Sequence, residues 1–80
     1  MTMETYIMLN VKAGTEDEVC EELVNFEEVE EVATIYGEYD AVLKVKARDM
    51  NHLDQFILNS LREMPNIILT ATMIIAKKYK

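Results

Sequence analysis

Leu9-Asn10-Val11-Lys12-Ala13 returns thirty-four positions further along the chain as Leu43-Lys44-Val45-Lys46-Ala47. Each copy is an alternating apolar segment, and a helix-starting residue follows it, Thr15 in the first copy and Asp49 in the second. A solenoid of this period needs about three or more copies to bury a core. Two copies within 80 residues therefore predict one domain, residues 1–80, with a βαβ unit in each half.

Apolar periodicity predicts four strands and two helices. The strands are expected over residues 5–12, 29–36, 40–47 and 67–76, with a tight turn at Gly37-Glu38. Thr15 and Glu18 have the spacing of a capping box at the start of the first helix. The second helix is expected to begin after Asp49 and to end before Pro65, because proline cannot continue a helix. Its predicted buried row is Leu53, Ile57, Leu61 and Met64.

The order βαββαβ with right-handed crossovers predicts a ferredoxin-like α+β fold. In this fold a four-stranded antiparallel sheet carries both helices on one face and leaves the other face open. Such a partly apolar open face usually finds a partner, so a homodimer through it is expected. Alternation assigns these residues to it: Tyr6, Met8, Asn10 and Lys12 from the first strand, and Asp40, Val42, Lys44 and Lys46 from the third.

Charge and composition exclude several classes of function. The net charge is −7, and no Lys or Arg lies between Lys12 and Lys44, so the chain is expected to repel nucleic acid. The third strand lacks the aromatic residues that stack RNA bases on this fold. No secretory signal and no apolar run of membrane-spanning length is present, so a cytosolic protein is expected.

The sequence offers no convincing catalytic or metal-binding group. His52 is the only histidine, and its spacing in the first turn of a helix supplies no catalytic partner. Cys20 is the only cysteine, and the neighbouring Glu21 and Glu22 disfavour a reactive thiolate. The acidic residues lack the spacing of a calcium loop and are interpreted as a solvated helix face. We therefore expect no enzyme activity, no metal and no cofactor.

Two short motifs remain, and each alone is ordinary. Tyr36-Gly37-Glu38-Tyr39-Asp40 joins the two halves and is typical of a hairpin turn, and Thr70-Ala71-Thr72 is typical of a strand. Their order and spacing, with the opening run from Tyr6 to Gly14, resemble the effector-binding (RAM) domain of the Lrp/AsnC family of transcriptional regulators. The resemblance covers almost the whole chain, from Tyr6 to Ala76.

The resemblance implies a small amino acid bound between subunits, near Tyr36, Gly37, Glu38, Tyr39, Asp40, Thr70 and Thr72. By this resemblance Asp40 would hold the ammonium or organise the turn, while the turn's amides and the two threonines would contact the carboxylate. It also implies dimers that assemble into rings. Regulators of this family carry a helix-turn-helix domain ahead of this one. Here the first strand begins close to Met1. If the chain is complete, we expect a stand-alone module that binds no DNA directly and joins full-length regulators; if it is part of a longer regulator, the full protein is expected to be a transcription factor.

Two other functions fit the same topology. One is a regulatory module resembling ACT domains, which bind ligand at the first strand–helix loop, here Ala13-Gly14-Thr15. The other is a small dimeric α/β-barrel enzyme, whose site would lie between sheet and helices and involve His52 or Tyr6.

Overall fold

A computed structural model describes residues 2–80, and it confirms the ferredoxin-like order of elements. The sheet has the strand order β2-β3-β1-β4, and all three pairings are antiparallel. The elements are β1 (Met3–Val11), α1 (Glu16–Leu23), β2 (Val29–Thr34), β3 (Ala41–Ala47), α2 (Met50–Phe56), a π-helical turn (Ile57–Leu61) and β4 (Ile67–Ile74).

The two repeated segments form the central strands, β1 and β3. Their alternation places one set of side chains under the helices, and these side chains are fully buried: Ile7, Leu9, Leu43 and Val45 are all 0% exposed. Tyr6 is paired with Lys44 and Met8 with Val42, and both pairs lie on the opposite, open face. The face assignments predicted from the sequence are confirmed for these residues.

Both helices cover the same face of the sheet. Val19 and Leu23 of α1 and Leu53 and Phe56 of α2 are buried against the strands. Phe26 follows α1 and meets the ring of Phe56 edge-on, with ring centroids 5.6 Å apart and planes at 84°. This edge-to-face geometry suits the quadrupoles of the two rings and ties the halves of the domain together.

The two helix starts differ although the repeat aligns them. The extended backbone of Asp49 lets its carboxylate accept a hydrogen bond from the His52 amide at 2.8 Å, so the predicted cap of α2 is confirmed. The predicted Thr15–Glu18 capping box is wrong. Thr15 lacks the extended conformation, and its hydroxyl instead donates to the Lys12 carbonyl at 2.6 Å. Thr15 therefore closes the preceding turn.

The second helix does not continue as one α-helix to Met64, as its apolar row predicts. α2 ends at Phe56, and the Arg62 amide donates to the Ile57 carbonyl at 2.9 Å, five residues back. This wider π turn is rare and frequently marks functional sites. The neighbouring strands are shorter than predicted, since β2 ends at Thr34, β3 begins at Ala41 and β4 ends at Ile74.

Candidate functional site

The junction between the halves, residues 35–40, is a loop rather than the predicted two-residue turn. The Ile35 amide donates to the Asp40 carbonyl at 3.0 Å and closes the loop. Gly37 has a φ of +143°, a conformation that side-chain-bearing residues rarely adopt. No atom lies within 4 Å of the position of an added Cβ, so backbone conformation rather than space favours glycine here.

Asp40 fastens this loop to the central strand. Its amide donates to the Leu9 carbonyl at 2.8 Å, and its carboxylate accepts a hydrogen bond from the Val11 amide at 2.9 Å. The pairing of β1 with β4 shifts register at Asn10 and Val11. The carboxylate of Asp40 thus satisfies a backbone amide of β1 and fixes the end of the loop to that strand.

The side chains of the loop differ in exposure. Tyr36 is fully exposed, Gly37 and Glu38 are exposed, and Tyr39 and Asp40 are half-buried. Tyr36 and Asp40 line a hollow of about 350 Å³ beside the start of α1, where Glu16 and Asp17 also contribute. Three carboxylates make this hollow negative, which favours a cationic group over an anionic one.

Thr70 and Thr72 lie on β4, on the side of the sheet that carries the helices. They pair with Leu9 and Ile7, whose side chains are buried under the helices. Thr72 lines a hollow of about 500 Å³ between β4 and the second helix. Thr70 lines a separate hollow of about 330 Å³. Neither hollow includes a residue of the 35–40 loop.

The loop and the threonines flank the same strand from opposite sides. Ala41, just after the loop, and Thr70 both pair with Leu9, so β3 and β4 are about 10 Å apart there. Within one protomer the structure places the two motifs at the same end of the sheet but does not bring them into one hollow.

Arg62 is a residue that the sequence analysis missed. It follows the π turn and lines both the hollow that contains Thr70 and the hollow that contains Thr72. Asp54 lines the larger of the two. Neither residue belongs to a short motif, and only the packing of the second helix against β4 reveals them.

His52 has a carboxylate partner that its sequence spacing did not reveal. Its Nε2 lies 3.1 Å from Glu28 Oε2, while its Nδ1 accepts a hydrogen bond from the Arg48 amide at 3.0 Å. The neutral ring therefore carries its proton on Nε2 and donates it to Glu28. Nε2 joins α2 to the turn before β2, and Nδ1 binds the backbone just ahead of α2, so both nitrogens are occupied in structural contacts.

Cys20 is an inert side chain. Burial raises the pKa of its thiol, and the nearby Asp17 and Glu16 raise it further. A thiol of this kind is poorly ionised and weakly nucleophilic. Among residues 2–80 there is no group of three or more His, Cys, Asp or Glu side chains arranged to hold a metal ion. Within the same residues no helix is long and apolar enough to cross a membrane.

The open face of the sheet combines ion pairs with apolar side chains. Lys44 Nζ lies 3.3 Å from Glu4 Oε1 and 3.9 Å from Glu31 Oε2. These ion pairs link β1, β3 and β2. The hydrogen bond with Lys44 lowers the pKa of Glu4, and the same bond raises the pKa of Lys44. Beside this polar strip, β4 carries the exposed Leu69 and Met73, and β1 carries Tyr6.

Comparisons with known proteins agree with this architecture. A family profile described as the Lrp/AsnC ligand binding domain matches residues 4–80. The chain is 37% identical over 79 residues to the HTH-type transcriptional regulator FL11 of Pyrococcus abyssi, covering 99% of this chain and 52% of that regulator. It therefore spans about half the length of this relative. A shorter match, 40% identical over 60 residues, covers 75% of this chain and 13% of the homocitrate synthase of Sulfolobus acidocaldarius.

Solved structures show the same fold. The crystal structure of FFRP-DM1 has a TM-score of 0.88 at 42% identity, covering 91% of this chain and 97% of that chain. The regulator NMB0573 of Neisseria meningitidis, solved as an L-Met complex, has a TM-score of 0.87 at 19% identity, covering 98% of this chain and 52% of that one. From the match over residues 4–80 and these relatives, the chain belongs to the Lrp/AsnC family and forms its ligand-binding domain, which is regulatory rather than catalytic.

Proposed function

We propose that this domain binds a small amino acid at the interface between subunits and acts by changing its state of assembly. The observation that carries the proposal is the separation of the two motifs. The 35–40 loop and the threonines of β4 line different hollows of one protomer. A site that uses both motifs is therefore completed by a second subunit.

The nature of the ligand follows from chemistry and from a relative. A free amino acid carries an ammonium and a carboxylate, and both need partners when water is removed. The hollow at Asp40 is negative, while Thr70 and Thr72 supply hydroxyl groups near Arg62. The NMB0573 regulator, which shares this fold, was solved with L-Met.

Assembly is proposed to begin with a dimer through the open face of the sheet. Tyr6, Leu69 and Met73 are between 40% and 50% exposed on this face of a small domain. Covering them with a second copy removes apolar surface from water. Further contacts between dimers would produce rings, in which the 35–40 loop meets a neighbouring subunit.

The partners proposed for this module are full-length regulators of the same family, in the cytoplasm, because FL11 contains a matching segment in about half of its length. The net charge of −7 argues against direct DNA binding by this domain. The match to homocitrate synthase favours a second candidate, in which the domain senses a ligand on behalf of an enzyme.

A thermal-shift screen of the twenty amino acids, paired with light scattering, tests the proposal. We expect at least one amino acid to raise the melting temperature of an assembled protein, because a ligand that binds only the folded state stabilises it. Thr72→Val should remove most of this shift, whereas the exposed Thr2→Val should keep it. A monomer of 9.3 kDa at micromolar concentration, or the absence of any shift, contradicts the proposal.

Asp40 needs a gentler substitution than alanine. Asp40→Asn retains an oxygen that can accept the hydrogen bond from the Val11 amide while removing the negative charge. If Asp40 contacts the ammonium, Asp40→Asn weakens binding with little change in the melting temperature of the free protein. A full ligand-induced shift in both Asp40→Asn and Thr72→Val would place the ligand elsewhere.

A further inference from the structure

The second helix begins with two reciprocal contacts, one of which uses the only histidine of the chain. The carboxylate of Asp49 accepts a hydrogen bond from the His52 amide at 2.8 Å. The ring of His52 reaches back in turn, and its Nδ1 accepts a hydrogen bond from the Arg48 amide at 3.0 Å. This arrangement resembles a capping box, in which a glutamate or glutamine normally reaches back to an amide at the helix start. Here the residue that reaches back is one that ordinarily titrates near neutral pH.

The contact between His52 and Arg48 requires a neutral ring. A ring nitrogen accepts a hydrogen bond only through a free lone pair, so the bond from the Arg48 amide requires an unprotonated Nδ1. Nε2 lies 3.1 Å from Glu28 Oε2 and carries the proton of the neutral ring, so a second proton can enter only at Nδ1. That proton makes Nδ1 a donor that faces the donating Arg48 amide, and the bond between them is lost. The contact with Glu28 is retained, because a charged ring donates to a carboxylate more strongly than a neutral one.

The surroundings of the ring allow it to become positive without leaving its place. The side chain of His52 is 17% exposed and borders a hollow of about 330 Å³. The charged groups that face the ring are Glu27 and Glu28 from the turn before β2, Lys46 from β3, Arg48 from the link after β3, and Asp49 from its own helix start. Lys46 is already paired with Glu30 at 3.1 Å. Three carboxylates and two cations, one of them paired, therefore leave room for one more positive charge.

The first half of the repeat makes the equivalent contact without a histidine. Thirty-four positions earlier, Gly14 aligns with Arg48 and Glu18 aligns with His52. The Gly14 amide donates to the carboxylate of Glu16 at 3.2 Å. A glutamate ordinarily stays ionised above about pH 5, so this contact persists over the range in which a histidine titrates. The two helix starts should therefore respond differently to pH although they occupy equivalent places.

We propose that His52 makes the start of α2 a proton-sensitive latch. At neutral pH the ring holds both Glu28 and the Arg48 amide, which fixes the two-residue link between β3 and α2. As the pH falls through the ordinary range of histidine, the ring keeps Glu28 and releases Arg48. The first turn of α2 then loosens, and the change reaches Met50, which borders the hollow that contains Thr72. This device goes beyond the proposed function and operates without a ligand.

Nuclear magnetic resonance of the free protein between about pH 8 and about pH 5.5 tests the latch, because carboxylates ordinarily remain ionised over this range. The quantity to measure is the protection of each amide from solvent exchange, corrected for the intrinsic rate at each pH. We expect the protection of the Arg48 amide to fall about 3- to 10-fold, as loss of one hydrogen bond implies. The fall should follow the titration of the His52 ring signals. Protection of the Gly14 amide should stay constant.

His52→Gln separates the histidine from every other titrating group. Glutamine does not titrate, and its side-chain oxygen can reach back to the Arg48 amide as in an ordinary capping box. In this variant the protection of the Arg48 amide should be independent of pH, and the methyl signal of Met50 should no longer shift with pH as it does in the wild type. Asn51 is exposed and next to His52, so Asn51→His combined with His52→Gln provides a matched control. This double variant contains a histidine outside the latch and should remain independent of pH.

Three results would overturn the proposal. A His52 ring that stays neutral down to about pH 5.5 cannot act as a switch near neutral pH. A ring that becomes protonated while the Arg48 amide keeps its protection shows that the two are not coupled. The same loss of protection in His52→Gln assigns the pH dependence to another group. None of these results bears on the proposed ligand site, which the thermal-shift screen tests separately.

Discussion

The two edge strands of the sheet, β2 and β4, occupy equivalent places in the two halves of the domain and carry opposite chemistry. β2 presents Glu30 and Glu31, which pair with Lys46 at 3.1 Å and with Lys44 at 3.9 Å. β4 presents Leu69, Met73 and Ile74, each between 44% and 50% exposed. Charges protect a sheet edge from pairing with another chain, while exposed apolar side chains invite a partner. This difference favours the β4 side as the centre of the proposed contact with another subunit.

The helix beside each edge strand shows the same contrast between a charged surface and a partly apolar one. α1 is a short regular helix with Glu16, Asp17 and Glu18 in its first turn. The second helix widens into a π turn at Ile57–Leu61 and faces the groove that contains Thr72. The first half of the repeat therefore supplies a charged surface, and the second half supplies a groove beside an apolar edge.

The largest effect is expected in the core that both halves share. Leu43 is 0% exposed and pairs with Ile7 and Val32 across the two neighbouring strands. Leu43→Ala should lower the free energy of unfolding by about 2–5 kcal/mol, because it leaves a cavity. Leu69 lies on the edge strand and is half exposed, so Leu69→Ala should lower the free energy of unfolding of the protomer much less. Urea denaturation compares them, and equal losses would contradict the assigned burial.

The contrast between the edges is tested by adding a positive charge to each. Met73→Lys should raise the dissociation constant for self-association about 100-fold, since a charge buried without a partner at an interface costs several kcal/mol. Ala33→Lys, on the open face at the β2 edge, should have a smaller effect beside Glu31. Sedimentation analysis measures both constants. A larger effect of Ala33→Lys would move the centre of the contact to β2.

A buried hydroxyl in β1 offers a stabilising substitution. Thr5 is 0% exposed, and its hydroxyl has no hydrogen-bond partner among the described residues. Thr5→Val should raise the free energy of unfolding by about 1 kcal/mol, because it removes an unsatisfied polar group at nearly constant shape. Thr15→Val makes the same chemical change where the hydroxyl does donate to Lys12 and should destabilise. Thermal denaturation measures both variants. If Thr5→Val and Thr15→Val shift the melting temperature in the same direction, the role assigned to the Thr5 hydroxyl is wrong.

The smallest effect concerns the ion pair between Glu4 and Lys44. Lys44 lowers the pKa of Glu4 in the folded protein. The ionised carboxylate therefore stabilises the fold at pH values above the ordinary glutamate pKa, and this contribution is lost as the pH falls through the lowered pKa. Glu4→Gln should therefore lower the melting temperature slightly at neutral pH, and the difference should shrink below about pH 4. If the difference in melting temperature between wild type and Glu4→Gln instead grows at acid pH, the assigned direction of the Glu4 pKa shift is wrong.

The features predicted correctly from the sequence are those that local pattern determines. Alternation identified the buried side of β1 and β3, including Ile7 and Leu43, because a strand turns successive side chains to opposite faces. The cap at Asp49 was also predicted correctly. Thr15 was not, because its hydroxyl has a nearer acceptor in the Lys12 carbonyl, and the choice between the two depends on backbone angles that sequence spacing does not encode.

The features that the sequence did not reveal depend on contacts between distant segments. Glu28 and His52 meet because α2 packs beside the turn before β2. Arg62 shares one hollow with Thr70 and another with Thr72 because the π turn ends next to β4. The predicted site residues, from Tyr36 to Asp40 with Thr70 and Thr72, came from motif order, and their ligand remains a prediction.

The central claim is that the ligand binds between subunits, and the dependence of self-association on ligand tests it most directly. The dissociation constant of the assembly should be measured by sedimentation, without ligand and with a saturating amount of the amino acid that gives the largest thermal shift. We expect a dissociation constant at least tenfold lower with ligand, because a ligand that contacts two subunits favours the state that contains both. Binding that leaves this constant unchanged would place the site within one protomer and contradict the account.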